Sequence, residues 1–274
     1  MSEDRAEAKL GEEGSLDSCS QGGLGRDVEA FYDWFRVFYQ DTGINLTFIY
    51  DSYDRNRLID GFWLTVWLSL ICLVLSVAIG IAGAWAQGAK SAVLRRCVAG
   101  YIEFFRNTPP LVQLYFFYFA IGSILPTTEN RFGFQEPILG NFAWAVISLS
   151  FFAGAFNVEI FRSGVEAVPE STKEAAEALG YTRLQTYIYI VLPLAFRVCL
   201  PALNNNLVNL VKTTTLAYAI AVPEMLYMAN QIWSDSVNVP EMMTFLLIAY
   251  VFLVGVLVWG MNRWERAMRL PGFG

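Results

Sequence analysis

The residues Glu174-Ala175-Ala176-Glu177-Ala178-Leu179-Gly180, continued by Ile190-Val191-Leu192-Pro193, form a hydrophilic insert between long apolar runs. Just upstream, Pro169-Glu170-Ser171-Thr172 supplies a proline, two hydroxyl groups and a carboxylate, which are typical of a helix start. Gly180 can adopt the left-handed conformation that ends a helix. We expect a second short helix over 183–189. The insert therefore predicts a water-exposed helix-turn-helix within a membrane protein.

The runs around this insert are long and apolar enough to cross a bilayer. The 274 residues are 55% hydrophobic and 16% charged, with a mean hydropathy of +0.41. A hydrocarbon core of about 30 Å needs about 20 apolar residues in a helix. The fourth run is interrupted only by Lys212. We predict an all-α membrane protein with five transmembrane helices, over about 61–88, 108–127, 138–160, 200–223 and 243–262, and a loop over 162–193.

Basic residues cluster in the segments that follow the first, third and fifth predicted spans. Cytoplasmic loops carry an excess of lysine and arginine, so these segments, including the insert and the C-terminus, are predicted to be cytoplasmic. Five crossings then place the N-terminus outside the bacterial inner (plasma) membrane. The opposite loops between spans hold only Arg131, although Arg55 and Arg57 beside the first span argue weakly the other way. The basic residues in question are Lys90, Arg95, Arg96, Arg106, Arg162, Lys173, Arg183, Arg197, Arg263, Arg266 and Arg269.

Residues 1–57 form an acidic N-terminal extension. Residues 1–26 lack the basic and apolar regions of a cleavable signal, so we expect insertion to depend on the spans. After Asp27, four aromatic residues recur at helical spacing. This pattern predicts an amphipathic helix over 27–40 that lies at the membrane interface. The helix is either a structural collar around the first span or a site for a substrate or partner. The aromatic residues are Phe31, Trp34, Phe35 and Phe38.

The composition argues against several classes of protein. The chain has no histidine to serve as a proton relay or zinc ligand, and a net charge of −6 does not fit a nucleic-acid surface. Its four cysteines form no CxxC pair and are expected to be free thiols. Residues 83–91 approach a phosphate-binding loop, but the lysine comes one residue late and no strand precedes it. We therefore expect no catalytic residue, no metal site and no ATP site, and the chain is not predicted to be an enzyme.

The insert resembles the EAA loop of permease subunits of binding-protein-dependent ABC importers. Segments 104–113, 192–197, 200–203 and 212–216 further resemble the polar amino acid (histidine/glutamine/arginine/glutamate-type) branch of that family. The chain departs from many relatives at 171–173 and at Thr214-Thr215, and the resemblance covers residues 58–270. The positions that match the loop motif are Glu174, Ala175, Ala176, Gly180, Ile190, Leu192 and Pro193.

The resemblance implies the architecture of a type I importer permease, in which the loop is a coupling helix that docks an ATPase. It implies that Glu174, Ala175, Ala176 and Gly180 contact this ATPase. The implied partners are two ATP-binding cassette ATPase subunits, a second identical or paralogous permease subunit, and a periplasmic or lipid-anchored amino acid binding protein. ATP and Mg would be bound by the partner ATPases, and this chain would hold no cofactor.

Polar residues within the spans are candidates for the substrate pathway, because an idle charge in lipid is costly. Lys212 lies about 11 residues into the fourth helix, or roughly 16 Å deep. Asn209, Thr213 and Thr214 flank it. These small and hydroxylated residues fit a substrate cavity, and they fit ordinary helix packing as well.

Three further polar residues belong to the predicted pathway. Glu224 at the outer end of the fourth span either sits in interfacial water or, as the resemblance implies, receives the ammonium group of a substrate. Gln113 and Asn107 are weaker candidates, which also fit hydrogen bonds between helices.

Two functions from other classes remain open from the residues alone. An ion-gradient-driven secondary transporter would use the same charges, but it predicts inverted repeats, and the two halves show none. A non-transporting receptor or scaffold would use the insert to recruit cytoplasmic proteins. The leading hypothesis is a permease that forms the path for a polar amino acid and couples to separate ATPases through residues 174–193.

Overall fold

The structure is a computed structural model that describes residues 24–129 and 131–268, with side chains from residue 29 onward. The first 23 residues of the acidic extension and Arg269 lie outside the described residues. The helices are α1 (Leu24–Thr42), α2 (Thr47–Tyr50), α3 (Ser52–Gln87), α4 (Ala92–Asn107), α5 (Pro110–Tyr115), α6 (Asn141–Glu166), α7 (Glu170–Ala178), α8 (Arg183–Thr186), α9 (Leu192–Thr213), α10 (Met225–Ser236) and α11 (Val239–Met268).

Irregular helical segments extend some of these helices. A π-helical segment, Phe116–Ile121, follows α5, and a second one, Tyr187–Val191, joins α8 to α9. A 3₁₀ segment, Thr214–Ile220, follows α9. Residues Arg183–Ile220 therefore form one continuous helical stretch of 38 residues. At 1.5 Å per residue such a stretch exceeds the thickness of a bilayer, so part of it extends into water.

Within residues 24–129 and 131–268, four stretches are long and apolar enough to cross a membrane, and a fifth apolar helix is shorter. The long stretches are Ser52–Gln87, Asn141–Glu166, Arg183–Ile220 and Val239–Met268. Helix α3 begins well before the predicted residue 61, because Asp51 caps it by accepting a hydrogen bond of 2.9 Å from the Tyr53 amide. The fold is an all-α membrane protein, as the sequence predicted.

The second predicted span, 108–127, differs from what the structure contains. Only Pro110–Ile121 is helical, in two six-residue segments that together rise about 18 Å. The helix ends before Gly122, and the chain then forms a small antiparallel hairpin of β1 (Thr127–Glu129) and β2 (Gln135–Pro137). The apolar run is long enough to span, but its last residues, which include Gly122 and Pro126, turn into this hairpin.

The core is built on close packing of α6 against α3 and α9. A Cβ at Gly80 would lie 2.5 Å from Asn157 Cβ, and one at Gly83 would lie 2.3 Å from a Val158 methyl group. About two turns further along α6, a Cβ at Gly164 would lie 2.7 Å from the carbonyl oxygen of Ala195 in α9. Small residues allow such close approach of helices in a membrane. These contacts make α6 the central helix to which α3 and α9 are attached.

Large apolar side chains cover the outer surfaces of α3 and α11. On α3 they include Trp63, Trp67 and Val74, and on α11 they include Leu247 and Phe252. An exposed apolar surface of this extent marks contact with lipid or with another subunit.

Candidate functional site

The hydrophilic insert folds as two short helices joined by a tight turn. Helix α7 begins after Pro169 and ends at Ala178, and Gly180 follows with φ of +89°. The Gly180 amide donates to the Glu177 carbonyl at 3.0 Å and the Tyr181 amide donates to the Ala176 carbonyl at 3.2 Å. This pair of bonds is the Schellman motif, which requires a left-handed residue at the position of Gly180. The turn is thus fixed by the glycine identified in the sequence.

The second helix of the insert has a fixed start as well. Thr182 and Gln185 form a reciprocal capping box, in which the Gln185 amide donates to Thr182 Oγ1 and the Thr182 amide donates to Gln185 Oε1. This arrangement satisfies two backbone donors at the start of α8. The two helices therefore form a rigid pair, which we call the coupling pair (residues 170–186).

The predicted docking residues lie on two different sides of α7. Glu174 and Ala175 are exposed, and Gly180 has no neighbouring atom that would meet an added Cβ. Ala176 is buried, because it faces the protein. A cavity of about 560 Å³ beside α7 is lined by Glu170, Lys173, Glu174, Glu177, Arg183, Thr186 and Tyr187, together with Val165 and Val191.

The coupling pair also carries an exposed apolar patch that the sequence reasoning missed. On the pair, Leu179 is 80% exposed and Leu184 is 68% exposed, and Tyr189 in the π-helical segment that follows is 67% exposed. Apolar side chains that remain exposed on a polar loop outside the spans are typical of a protein interface. The signal was present in the sequence, as leucines within an otherwise polar insert.

The coupling pair is connected to the membrane helices by a small apolar cluster. Val168, at the entrance to α7, packs with Val191 and Ala195 at the start of α9. Because Gly164 of α6 lies against the carbonyl of Ala195, this cluster continues into the core of the protein. A displacement of the coupling pair would therefore act directly on α9.

The predicted pathway residues on α9 lie where the α-helix becomes a 3₁₀ helix. Lys212 and Asn209 are exposed and lie one turn apart, and Thr213 is half-buried. Thr213 Oγ1 donates to the Asn209 carbonyl at 2.8 Å, and the buried Thr214 Oγ1 donates to the Val211 carbonyl at 2.7 Å. The structure thus brings Lys212, Asn209 and Thr213 to one accessible region, with Thr214 behind them.

Glu224 lies in a different environment from these residues. Its side chain is fully buried. It caps α10 by accepting hydrogen bonds from the amides of Leu226 and Tyr227 at 2.9 and 3.0 Å, and it accepts a third from the Tyr250 hydroxyl at 2.9 Å. The next amide, that of Met225, donates to Thr65 Oγ1 at 3.0 Å. In this conformation Glu224 links α3, α10 and α11 and presents no surface to a solute.

Gln113 and Asn107 lie on either side of the break between α4 and α5. Gln113 is buried, and its Nε2 donates to the carbonyls of Phe105 and Thr108 at 2.9 and 3.0 Å. These bonds hold the backbone at the point where Pro109 interrupts the helix. Asn107 is exposed at the end of α4.

A second cavity, of about 590 Å³ and mostly apolar, lies between α3, α6 and α9 near the coupling pair. At its rim Arg162 pairs with Glu159 and Glu166 at 2.9 Å each, and Arg106 of α4 lies 3.8 Å from Glu159. Arg106 adds a guanidinium group from another helix, so this cluster ties α4 to α6 beside the cavity.

Comparisons with known proteins agree with this geometry. Residues 76–270 match the family described as the inner membrane component of binding-protein-dependent transport systems. The chain is 29% identical to a probable glutamine ABC transporter permease protein, GlnM, of Bacillus subtilis, covering 82% of this chain and 98% of that protein. It is 31% identical to the glutamate/aspartate import permease protein GltJ of Escherichia coli, covering 77% of this chain and 87% of the relative.

A solved structure has the same fold. It is described as an amino acid ABC transporter with histidines, and it superposes with a TM-score of 0.69 at 25% identity, covering 78% of this chain and 94% of that one. The family match covers most of the chain and includes the coupling pair and the helices that it contacts. The chain therefore belongs to the family of inner membrane components of binding-protein-dependent transport systems, as an ABC importer permease with the type I fold.

Proposed function

We propose that this chain forms the translocation path for a polar amino acid in an ATP-driven importer of the bacterial inner membrane. The observation that carries the proposal is the coupling pair, a rigid and exposed helix pair with an apolar patch, packed directly against the start of α9. A loop with these properties fits a partner that exerts force on it. Relatives whose names specify glutamine and glutamate/aspartate transport support a polar amino acid as the substrate.

The partners we propose follow from the same surface. Two ATPase subunits would bind ATP and Mg, and one would contact Glu174, Ala175 and Gly180 directly, while Ala176 would support the helix from behind. A second permease subunit, identical or paralogous, would complete the path. An amino acid binding protein, periplasmic or lipid-anchored, would deliver the substrate from outside.

We propose that the coupling pair and the C-terminus are cytoplasmic and that the N-terminus lies outside. The distribution of lysine and arginine supports this orientation. It places the β1–β2 hairpin and the α10–α11 turn on the outer side, where the binding protein would dock.

For the pathway, we propose that Lys212, Asn209 and Thr213 face the substrate, with Thr214 positioning this turn of α9. Lys212 forms no ion pair within the part of the chain that the structure describes, so its charge is available to a carboxylate. Glu224, Gln113 and Asn107 would act differently, by holding the elements that border the path. Substrate contact by Glu224 would require its three hydrogen bonds to break.

The test is reconstitution of the chain with its ATPase and binding protein in proteoliposomes. Uptake of a radiolabelled polar amino acid should require all three proteins and ATP. Competition by a panel of amino acids would then identify the substrate. Uptake driven by an ion gradient without ATP would instead show a secondary transporter, and ATPase recruitment without any uptake would show a scaffold.

A further inference from the structure

The N-terminal elements are fastened to the α10–α11 turn by buried hydrogen bonds. The Asn45 amide donates to Glu241 Oε1 at 2.8 Å, and Asn45 Nδ2 donates to the Ser236 carbonyl at 3.2 Å. In return, Asn238 Nδ2 donates to the Asn45 carbonyl at 3.0 Å and to Thr47 Oγ1 at 3.1 Å. Both asparagines are buried, so breaking these bonds would leave buried polar groups unpaired.

An ion pair and a tyrosine extend this attachment. Arg57 of α3 lies 3.0 Å from Asp235 of α10 and donates to Gln231 at 3.0 Å. The Tyr50 hydroxyl donates to Asn45 Oδ1 at 2.7 Å, and burial raises the pKa of this hydroxyl above its ordinary value. We call the hydrogen-bonded set of Asn45, Thr47, Asn238 and Glu241, with the pair of Arg57 and Asp235, the polar clamp.

Helix α1 packs beside this clamp, against Arg55 and Tyr50. The Tyr32 hydroxyl accepts a hydrogen bond of 2.9 Å from Arg55 of α3, whose guanidinium also lies 5.3 Å from the centre of the Tyr32 ring. One turn along α1, the Arg36 guanidinium lies 5.8 Å from the centre of the Tyr50 ring. Tyr32 and Arg36 therefore mark the side of α1 that faces the protein.

The aromatic face of α1 points elsewhere. Phe31 and Phe35 have ring centres 5.0 Å apart, and Trp34 stacks on Phe38 at 5.4 Å. At 100° per residue this face lies about 130° around the helix from the packing side. Phe31 is 54% exposed and Trp34 is 58% exposed. The side opposite the aromatic face carries the polar residues Asp33 and Gln40.

The spans that begin at the clamp also expose apolar side chains. Directly after the clamp, α3 exposes Ile59, Trp63 and Trp67, and α11 exposes Val239 and Met243. Aromatic side chains favour the boundary between headgroups and acyl chains. A helix that packs beside the end of a span, with its aromatic face on one side and its polar face on the other, has the amphipathic pattern of an interfacial helix.

We propose that α1 is a membrane anchor whose aromatic face, formed by Phe31, Trp34, Phe35 and Phe38, lies at the headgroup boundary of the phospholipid bilayer. The hydrogen bonds of the polar clamp connect this anchored segment to the α10–α11 turn. The position of α10 then depends on the N-terminal segment. This role is independent of the substrate and of the ATPase.

The experiment measures the depth of two spin labels on the full chain in phosphatidylcholine nanodiscs. Phe31→Cys places a label on the aromatic face, and Asp33→Cys places a matched label on the polar face. Both native side chains are largely exposed, so the labels should not disturb the fold. The background carries Cys19→Ser and Cys97→Ser, because Cys97 is exposed whereas Cys72 and Cys199 are buried.

The label at position 31 should collide with dissolved oxygen more often than the label at position 33. It should collide with a water-soluble nickel chelate several-fold less often than the label at position 33. The unlabelled background, treated with the same reagent, controls for residual reaction at the buried cysteines. Equal chelate collision at both positions would overturn the proposal, since the helix would then lie in water. Protection of position 31 from both oxygen and chelate would also overturn it, since a protein surface would then cover the aromatic face.

Discussion

The carboxylate of Glu224 joins three elements at one buried point. It caps α10 by accepting hydrogen bonds from two backbone amides, and it accepts a third from the Tyr250 hydroxyl of α11. The adjacent Met225 amide donates to Thr65 Oγ1 of α3. A buried carboxylate with this number of donors is stabilising only while the donors remain in place. We therefore regard Glu224 as a structural link at the end of the 3₁₀ segment.

Replacing Glu224 with alanine should destabilise the protein by about 2–3 kcal/mol, since it removes a helix cap and leaves three buried donors unpaired. Unfolding in mixed micelles with increasing dodecyl sulfate measures this loss. Glu224→Gln keeps one acceptor oxygen and should lose less. Asp33→Ala, which removes an exposed carboxylate from a surface pair, is the control and should be nearly neutral. Equal stability of Glu224→Ala and the wild type would contradict the link.

Lys212→Met should reduce uptake in the reconstituted importer by about tenfold or more, because a hydrogen bond to a charged group is worth about 1.5–3 kcal/mol. The ATPase should still bind, since Lys212 is far along α9 from the coupling pair. Lys90→Met removes the same charge from the exposed α3–α4 connection and serves as the matched control. If both variants transport like the wild type, Lys212 has no role in transport and serves only in helix packing.

The sequence predicted the polar residues of the spans but not their environments. Lys212 and Asn209 lie on an accessible face of α9, as a pathway residue must, whereas Glu224 is buried. The difference arises from tertiary packing: α10 folds back after Pro223, so that Glu224 becomes its cap. No local pattern around residue 224 specifies which helices will enclose it.

At the scale of elements, the coupling pair combines a fixed turn with a fixed contact to α9. The turn depends on Gly180, whose positive φ costs about 1–2 kcal/mol for a residue with a side chain. The contact depends on Val168, Val191 and Ala195. A change at the turn should thus alter the shape of the pair without affecting the spans.

Gly180→Val should uncouple ATP hydrolysis from transport. The β-branched side chain strains the left-handed turn and shifts α8 relative to α7. The measurement is the ratio of amino acid taken up to ATP hydrolysed in proteoliposomes, which should fall. Gly43→Val is the matched control, because Gly43 has a similar φ of +74° but lies in the connection between α1 and α2. An unchanged ratio for Gly180→Val, or an equal fall for both variants, would count against the coupling role.

Hydropathy predicted the long helices well, because the bilayer imposes their length. The sequence also predicted the helix over 27–40 that lies within α1. It did not predict the hairpin after Ile121 or the close contacts at Gly80, Gly83 and Gly164. A glycine in an apolar helix is compatible with many neighbours, and only the assembled structure shows which helix approaches it.

At the scale of the whole molecule, the proposed arrangement of the helices predicts which side of the membrane each connecting segment faces. Leu184 in α8 and Thr128 in the hairpin are both exposed, and we place them on opposite sides of the membrane. In a background with Cys19→Ser and Cys97→Ser, Thr128→Cys should react with an impermeant maleimide added to intact spheroplasts. Leu184→Cys should react only after the membrane is permeabilised. The reverse pattern would contradict the orientation.

The continuous stretch Arg183–Ile220 has a mechanical consequence. It meets the central helix at Ala195, whose carbonyl oxygen lies against Gly164. The arm from this point to the coupling pair is roughly 18 Å long, and the arm to the outer end is about 37 Å long. When such a stretch rotates as one body about this contact, the end of its longer arm moves about twice as far as the end of its shorter arm. In the orientation that we propose, a small displacement of the coupling pair on the cytoplasmic side would thus become a larger one at the outer end.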